Sequence, residues 1–266
     1  MTPEAAGRAA AALLAARAER RPISALPEGC APANLEEAYR IQAALIELSA
    51  AGGPGDIAGF KIGATSAAAR ELLALDAPFY GTMLRAGILE SPARVSRGAH
   101  SFCLIEPEFA VRLGRDLPAR GAAYSREEAA AAVASVHPAF EVVTSAYGAA
   151  WTGAGAANLI ADNGVHGCLV LGAGQADWQG LDLASHPVTF LRNGQEEGRG
   201  TGANALGHPL EALAWLAGQG AAGGRGLKAG DLVTTGVVTP FLYAEAGDEL
   251  LADFGALGQV RLDMVA

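Results

Sequence analysis

A chain of 266 residues that is 51% apolar and 18% charged can bury a sizeable core and lies outside the compositional range of disordered polypeptides. Its net charge of -9 comes with no basic stripe, which excludes nucleic acid as a partner, and no run approaches the roughly 20 apolar residues of a bilayer span, which excludes a membrane. Cys30, Cys103 and Cys168 lack paired spacing and fit buried thiols in a reducing compartment, read as the cytoplasm. The N-terminal stretch, with Glu4 ahead of any apolar run and Arg8, Arg17, Arg20 and Arg21 spread through it, lacks the order of a secretory signal.

Residues 3–21 are rich in Ala, Leu, Arg and Glu and predict a helix, closed by Pro22 and the Leu26-Pro27-Glu28-Gly29 turn. A second helix opens at Asn34 with Glu37 at the capping-box position; Ala38, Ile41, Leu45 and Leu48 form its apolar face, and Gly52-Gly53-Pro54-Gly55 ends it. Residues 1–55 are thus expected as a helical segment ahead of a body spanning 56–266. That body opens with a strand over 57–63, in which Lys61 alternates with Phe60 and Ile62. Lys61 is either a surface lysine with a snorkelling stem or a group beside a small ligand, and flanking Gly59 and Gly63 favour the second by leaving room on its face. Ser66 caps a short helix to Leu75, and Asp76-Ala77-Pro78-Phe79-Tyr80-Gly81 reads as a turn.

Two or three short strands over 84–111 end in Leu104-Ile105-Glu106-Pro107-Glu108-Phe109-Ala110-Val111. Period-two alternation puts Glu106 and Glu108 on one face. The pair is either the polar side of a half-exposed strand or two ligands of a hard cation, Mg²⁺ or Mn²⁺, since like charges in apolar surroundings need protonation or a cation between them. A helix over 126–135, capped by Ser125 with Glu128, precedes His137-Pro138-Ala139-Phe140-Glu141-Val142-Val143, where a buried Glu141 calls for a partner. A Gly/Ala loop over 148–157 leads to Ile160-Ala161-Asp162-Asn163-Gly164-Val165-His166. Asp162 and Asn163 there can be plain turn formers, and His166 a packed histidine. The rest predicts a hairpin over 186–199 turning at Asn193-Gly194, a helix over 208–217, and strands over 232–238, 249–254 and 258–264. Leading helices and later alternating strands argue an α+β fold with a curled, mostly antiparallel β body.

Gly59-Phe60-Lys61-Ile62-Gly63, Glu106-Pro107-Glu108, Glu141, Ile160-Ala161-Asp162-Asn163, Gly202-Ala203-Asn204-Ala205-Leu206-Gly207-His208-Pro209 and Gly230-Asp231 to Thr235-Gly236 occur together in order. In this the chain resembles the 2-oxopent-4-enoate hydratase and 4-oxalocrotonate decarboxylase family of the fumarylacetoacetate hydrolase superfamily, over roughly residues 35 to 264. The resemblance implies a mixed, mostly antiparallel β-roll behind the N-terminal helices, with Mg²⁺ or Mn²⁺ held by Glu106, Glu108 and Glu141. It implies catalysis by Lys61, Asp76 and Asp162, substrate contacts from Tyr80, Asn163, His166 and Thr235, and a homo-oligomer that can associate with a pathway partner enzyme. Two departures mark this chain: Phe79 ahead of Tyr80-Gly81, where many hydratases carry an aspartate, and Gly164-Val165-His166, where many members have small residues including serine.

The implied reaction is hydration of a 2-hydroxypenta-2,4-dienoate-type acid to a 4-hydroxy-2-oxo acid in aromatic catabolism, with decarboxylation of 2-oxohex-3-enedioate as the second reading. A C–C hydrolase of acylpyruvates stands third, kept open by His137 and His166 but unsupported by any His-x-x-Glu stretch, and a non-catalytic partner subunit stands fourth. In all the catalytic readings a 2-oxo acid is chelated where enolate charge develops. Lys61, its pKa expected to fall on burial, binds the substrate carboxylate or moves the proton.

Overall fold

The structure is a computed structural model that describes residues 1–50, 56–220 and 224–266. Helix α1 (Pro3–Glu19) begins where the Thr2 hydroxyl accepts from Ala5 N, and it stops at Arg20, left-handed at φ 56°. Its small side chains allow close approach: Ala6, Ala9, Ala10 and Leu13 lie in one buried cluster with Ala38, Ile41 and Leu45 of α2 (Leu35–Ser49). Asn34 caps α2, accepting from Glu37 N at 2.9 Å, but the capping box is not closed. Glu37 instead accepts from Ala33 N and from the N-terminal ammonium. Leu48, expected on the buried face, is 58% exposed, while Gln42 is buried and donates to the Tyr80 and Ile160 carbonyls. The expected Gly52 to Gly55 stop lies outside the described residues.

The body follows as β1 (Ile57–Gly63), α3 (Ala67–Leu73), β2 (Phe79–Leu84), β3 (Ile88–Glu90), β4 (Ala93–Ser96), β5 (Leu104–Leu113), α4 (Arg126–Ala132) and β6 (Val133–Val143). Then come α5 (Ala156–Ala161), β7 (His166–Leu171), β8 (Pro187–Arg192), β9 (Gln195–Thr201) and α6 (Pro209–Gly218). Four strands finish it: β10 (Leu232–Val237), β11 (Leu242–Tyr243), β12 (Glu249–Asp253) and β13 (Gln259–Val265). Three expectations shift. Phe79-Tyr80-Gly81 opens a strand rather than closing a turn, Ile160-Ala161 lies in a helix rather than after a loop, and the helix from 126 yields at Val133. There Val133 and Val136 pair with β5, and β-branched side chains suit a strand better than a helix end. The Ser125–Glu128 capping box forms with both of its bonds.

One sheet runs β2-β1-β10-β5-β6-β7-β3 with β11 added on β5, and a second runs β4-β13-β12-β8-β9. Neighbours are antiparallel except β1 with β10, β3 with β7, and β4 with β13. The main core lies between the sheets, where Phe109 meets Phe254 edge-on at 5.0 Å and Phe140 tilts against Phe190 at 5.5 Å. Phe60, Ile62, Ile105, Phe109 and Phe140 fill that core, so the alternate positions of β1, β5 and β6 face the other way. The second apolar cluster spans the expected boundary at residue 55, joining α1 and α2 to Phe79, Leu104, Val143, Ile160 and Val165.

Candidate metal centre

Pairing of β5 with β6 sets Glu106 opposite Glu141 and Glu108 opposite Ala139, so three carboxylates share the face turned away from the core. Their ligand oxygens lie within 4.8 Å of one another, Glu108 and Glu141 fully buried and Glu106 half-buried. Lys61 reaches the same face through the chain of partners Lys61, Thr234 and Ala110 across β1, β10 and β5. Its Nζ donates to the Gly164 carbonyl at 3.0 Å and pairs with Glu141 Oε2 at 3.2 Å, beneath the Phe79 ring at 5.3 Å. The other Glu141 oxygen accepts from His166 Nδ1 at 2.9 Å, which fixes the proton on that nitrogen. Glu108 Oε2 accepts from Gly236 N at 2.8 Å. Only glycine serves there: φ is +101° and a Cβ would sit 2.0 Å from Thr65 Oγ1.

The electrostatics follow from burial and proximity. Burial, then the charge on Glu141, pushes Glu106 up to about 7, and burial with both neighbouring carboxylates raises Glu108. Glu141 goes the other way: burial would raise it, but Lys61 and the His166 hydrogen bond hold it ionised. Burial also works against the Lys61 ammonium, yet Glu141, Glu106 and Glu108 together raise it, so the expected lowering is reversed. Ionising all three carboxylates against one ammonium would leave two negative charges uncompensated, which is why Glu106 and Glu108 are raised, and among the described residues Glu108 Oε1 and Thr234 Oγ1 are buried without a hydrogen-bond partner. Unpaired, such groups are costly; an all-oxygen donor set with that residual charge fits a hard dication.

The remaining sequence candidates divide. Asn163 and His166 border the centre, but the Asn163 amide is spent on Thr82, accepting from its N–H and donating to its carbonyl, both at 2.8 Å. Asp162 has both oxygens engaged, by Arg17 Nε at 2.7 Å and by Ser145 Oγ and Ala146 N at 2.8 Å, and none of these partners belongs to the carboxylate cluster. Tyr80 pairs with Ile62, one position out of phase with Lys61, and packs on Tyr39 at 4.5 Å and Phe60 at 6.1 Å on the opposite face. Thr235 is likewise one position off, donating to the Phe109 carbonyl at 3.0 Å; Thr234 is the hydroxyl on the site face. Asp76 is exposed on the bend before β2, and no hydrogen bond or ion pair joins it to the cluster among the described residues. The glycines beside Lys61 do not make room for a ligand either. A Cβ at Gly59 would meet Leu232 O at 1.8 Å and one at Gly63 the Phe79 ring at 2.4 Å, so close backbone and ring packing require them. Missed from sequence were Thr234, whose face is set by the register of β10 against β1, and Arg17, for which α1 gives no sign.

An acidic triad closed by a lysine on the outer face of such a sheet defines the class. Residues 70–265 match the fumarylacetoacetate (FAA) hydrolase C-terminal family, and the chain belongs to it. The chain is 35% identical over 232 residues to 2-hydroxyhexa-2,4-dienoate hydratase of Comamonas testosteroni, covering 86% of this chain and 85% of that one. It is 30% identical over 263 residues to 2-keto-4-pentenoate hydratase of Paraburkholderia xenovorans, covering 99% and 96%. Its fold superposes with a TM-score of 0.90 on 4-oxalocrotonate decarboxylase from Pseudomonas putida G7 complexed with magnesium and adipate, at 25% identity over 100% of this chain and 99% of that one. No helix among the described residues is long and apolar enough to cross a membrane.

Proposed function

We propose that this chain is a Mg²⁺- or Mn²⁺-dependent hydratase that converts 2-hydroxypenta-2,4-dienoate-type acids to 4-hydroxy-2-oxo acids. The observation that carries this reading is the convergence of Glu106, Glu108 and Glu141, distant in sequence, on one buried point beside Lys61. The names of its relatives support the hydro-lyase assignment. When bound, the dication supplies electrophilic stabilisation of the charge that develops on a chelated 2-oxo acid.

The chain's own residues do the rest. Ketonisation of the dienol needs a proton at C5, and hydration places hydroxyl at C4 and a proton at C3. Lys61 Nζ, a raised ammonium on the site face, is the group we assign to hold the substrate carboxylate or carry that proton. The Gly164 carbonyl and Glu141 fix its position, and His166 orients Glu141. Phe79, buried with its ring 5.3 Å from Lys61 Nζ, walls the Lys61 side against water, and Val165 is buried in the same apolar cluster as Phe79. Asp162 and Asn163 act as positioning residues, and Thr234 replaces Thr235 and Tyr80 as the polar side chain offered to substrate.

The purified chain is assayed with 2-hydroxypenta-2,4-dienoate and 2-oxohex-3-enedioate, following dienol absorbance and carbon dioxide, in Mg²⁺ and in chelator. We expect Mg²⁺-dependent loss of dienol without carbon dioxide. Carbon dioxide release from the enedioate instead makes it a decarboxylase, the activity named for its full-length structural neighbour. Silence towards both, or full activity in chelator, overturns the proposal. Free, buried Cys30, Cys103 and Cys168 support a cytoplasmic location. Exposed Phe241 and Tyr243, at 51% and 48%, support a homo-oligomer, to be checked by light scattering.

A further inference from the structure

We propose that Arg17 of α1 is a positioning residue for the Lys61–Glu141 centre, acting through the segment Asp162–His166; this rests on the reading of the acidic cluster as the active centre. The Arg17 guanidinium brackets that segment. Nε donates to Asp162 Oδ1 at 2.7 Å and Nη2 to the Asp162 carbonyl at 3.0 Å at one end, while Nη1 donates to the His166 carbonyl at 2.7 Å at the other. Nη2 also donates to the Thr144 carbonyl at 3.3 Å, tying the clamp to the end of β6 one residue beyond the last strand position.

What lies between the two ends explains why a clamp is needed. Asn163, Gly164 and Val165 are all left-handed, at φ 54°, 60° and 59°. A β-branched valine is a poor occupant of that region, and three such residues in succession persist only where surrounding contacts over-determine them. Arg17 holds the ends, and the Asn163 amide, doubly bonded to Thr82, holds the middle. The contorted segment makes two contacts with the centre: the Gly164 carbonyl receives Lys61 Nζ at 3.0 Å, and His166 Nδ1 donates to Glu141 at 2.9 Å. Relaxation of the segment would move both the lysine and the carboxylate it pairs with. Arg17 touches neither, and its fork of planar donors, matched to a carboxylate and three carbonyls, is geometry that a lysine cannot reproduce.

The test uses the full chain with Arg17→Ala and Arg17→Lys, the second keeping the charge opposite Asp162 should the first fail to fold. Mn²⁺ binding is read by electron paramagnetic resonance without substrate, alongside melting temperature, kcat and KM. Loss of an outer partner of this kind costs about 10- to 100-fold in metal affinity or activity, so we expect Mn²⁺ affinity and kcat each to fall by at least about tenfold in Arg17→Lys. The fall in kcat should persist at saturating Mn²⁺, because Lys61 and Glu141 are displaced, and added methylguanidinium should restore part of the lost kcat in Arg17→Ala. Wild-type Mn²⁺ affinity and kcat in Arg17→Lys, however far its melting temperature falls, overturn the proposal and leave the hydratase reading standing. A wild-type chain that binds no Mn²⁺ overturns both, since there is then no centre to position.

Discussion

Replacing Lys61 with Met keeps most of the stem and removes the one ammonium facing three carboxylates. Lys61 and Glu141 are both buried and 3.2 Å apart, so the substitution breaks a buried pair and leaves Glu141 with His166 as its remaining donor. Removing one partner of such a pair costs about 3–5 kcal/mol. Glu106 and Glu108 already lean towards their protonated forms, which gives the cluster a way to shed charge and sets the lower end, about 3 kcal/mol, as the expectation. For a chain of this length each kcal/mol moves the melting temperature by about 2–4 °C, so Lys61→Met should melt roughly 6–12 °C below wild type in EDTA at pH 8. Excess Mg²⁺ should narrow the gap, because a dication supplies the positive charge the ammonium no longer does. Turnover should fall by about two orders of magnitude or more, the usual contribution of a positioned proton carrier. A variant that melts with wild type in EDTA would show that the Nζ is not compensating buried charge, and the electrostatic account of the centre would be wrong.

Further outcomes test the same centre. Glu106 has a folded-state pKa of about 7 against an ordinary 4.5, so between those values the folded chain keeps a proton that the unfolded chain has lost. Its contribution is therefore greatest below pH 4.5 and declines as pH rises to 7, by up to about 3 kcal/mol. Urea melts in EDTA at pH 5 and pH 8 should show that decline and excess Mg²⁺ should flatten it; a rise with pH contradicts the assignment. Glu106→Gln should lose at least about a hundredfold in turnover while melting at or above wild type, since a like charge is removed from a crowded cluster. Near wild-type kcat would end its role as a ligand. Burial pushes the Cys168 thiol up to about 12 and that of Cys103 to about 11, so neither should react with a thiol reagent in the native protein at pH 8, while all three cysteines react in denaturant. Fast native labelling at Cys168 would show that β7 opens readily.

How much of this was legible in the sequence depends on the reach of each signal. Glu106 and Glu108 were readable because a strand's period of two is local, and the same period put Phe60 and Ile62 in the core with Lys61 opposite. Glu141 was suspected from the cost of a lone buried acid, but its place opposite Glu106 is a matter of register between strands. Tyr80 and Thr235 were misplaced by one residue each, the smallest slip that sends a side chain through a sheet. Asp162 was recognised as special but not for its actual work, because its partner Arg17 sits 145 residues earlier on an alanine-rich helix where an arginine looks like any solvated cation. The two glycines around Lys61 were noticed, yet whether the vacated space admits a ligand, a carbonyl or a ring is decided by what packs there.

The Asn163 side chain has a consequence beyond the centre. β2 is the outermost strand of the larger sheet, and the amide of Asn163 occupies both the N–H and the carbonyl of Thr82 midway along it, much as an incoming polypeptide would. The opposite rim, β3, is only 3 residues long, and the outer strand β9 of the smaller sheet bristles with Glu196, Glu197 and Arg199. These three rims are thereby poor templates for cross-chain strand addition. Asn163→Ala should accordingly leave the Thr82 N–H and carbonyl without their partner, and soluble yield at high concentration should suffer along with catalysis.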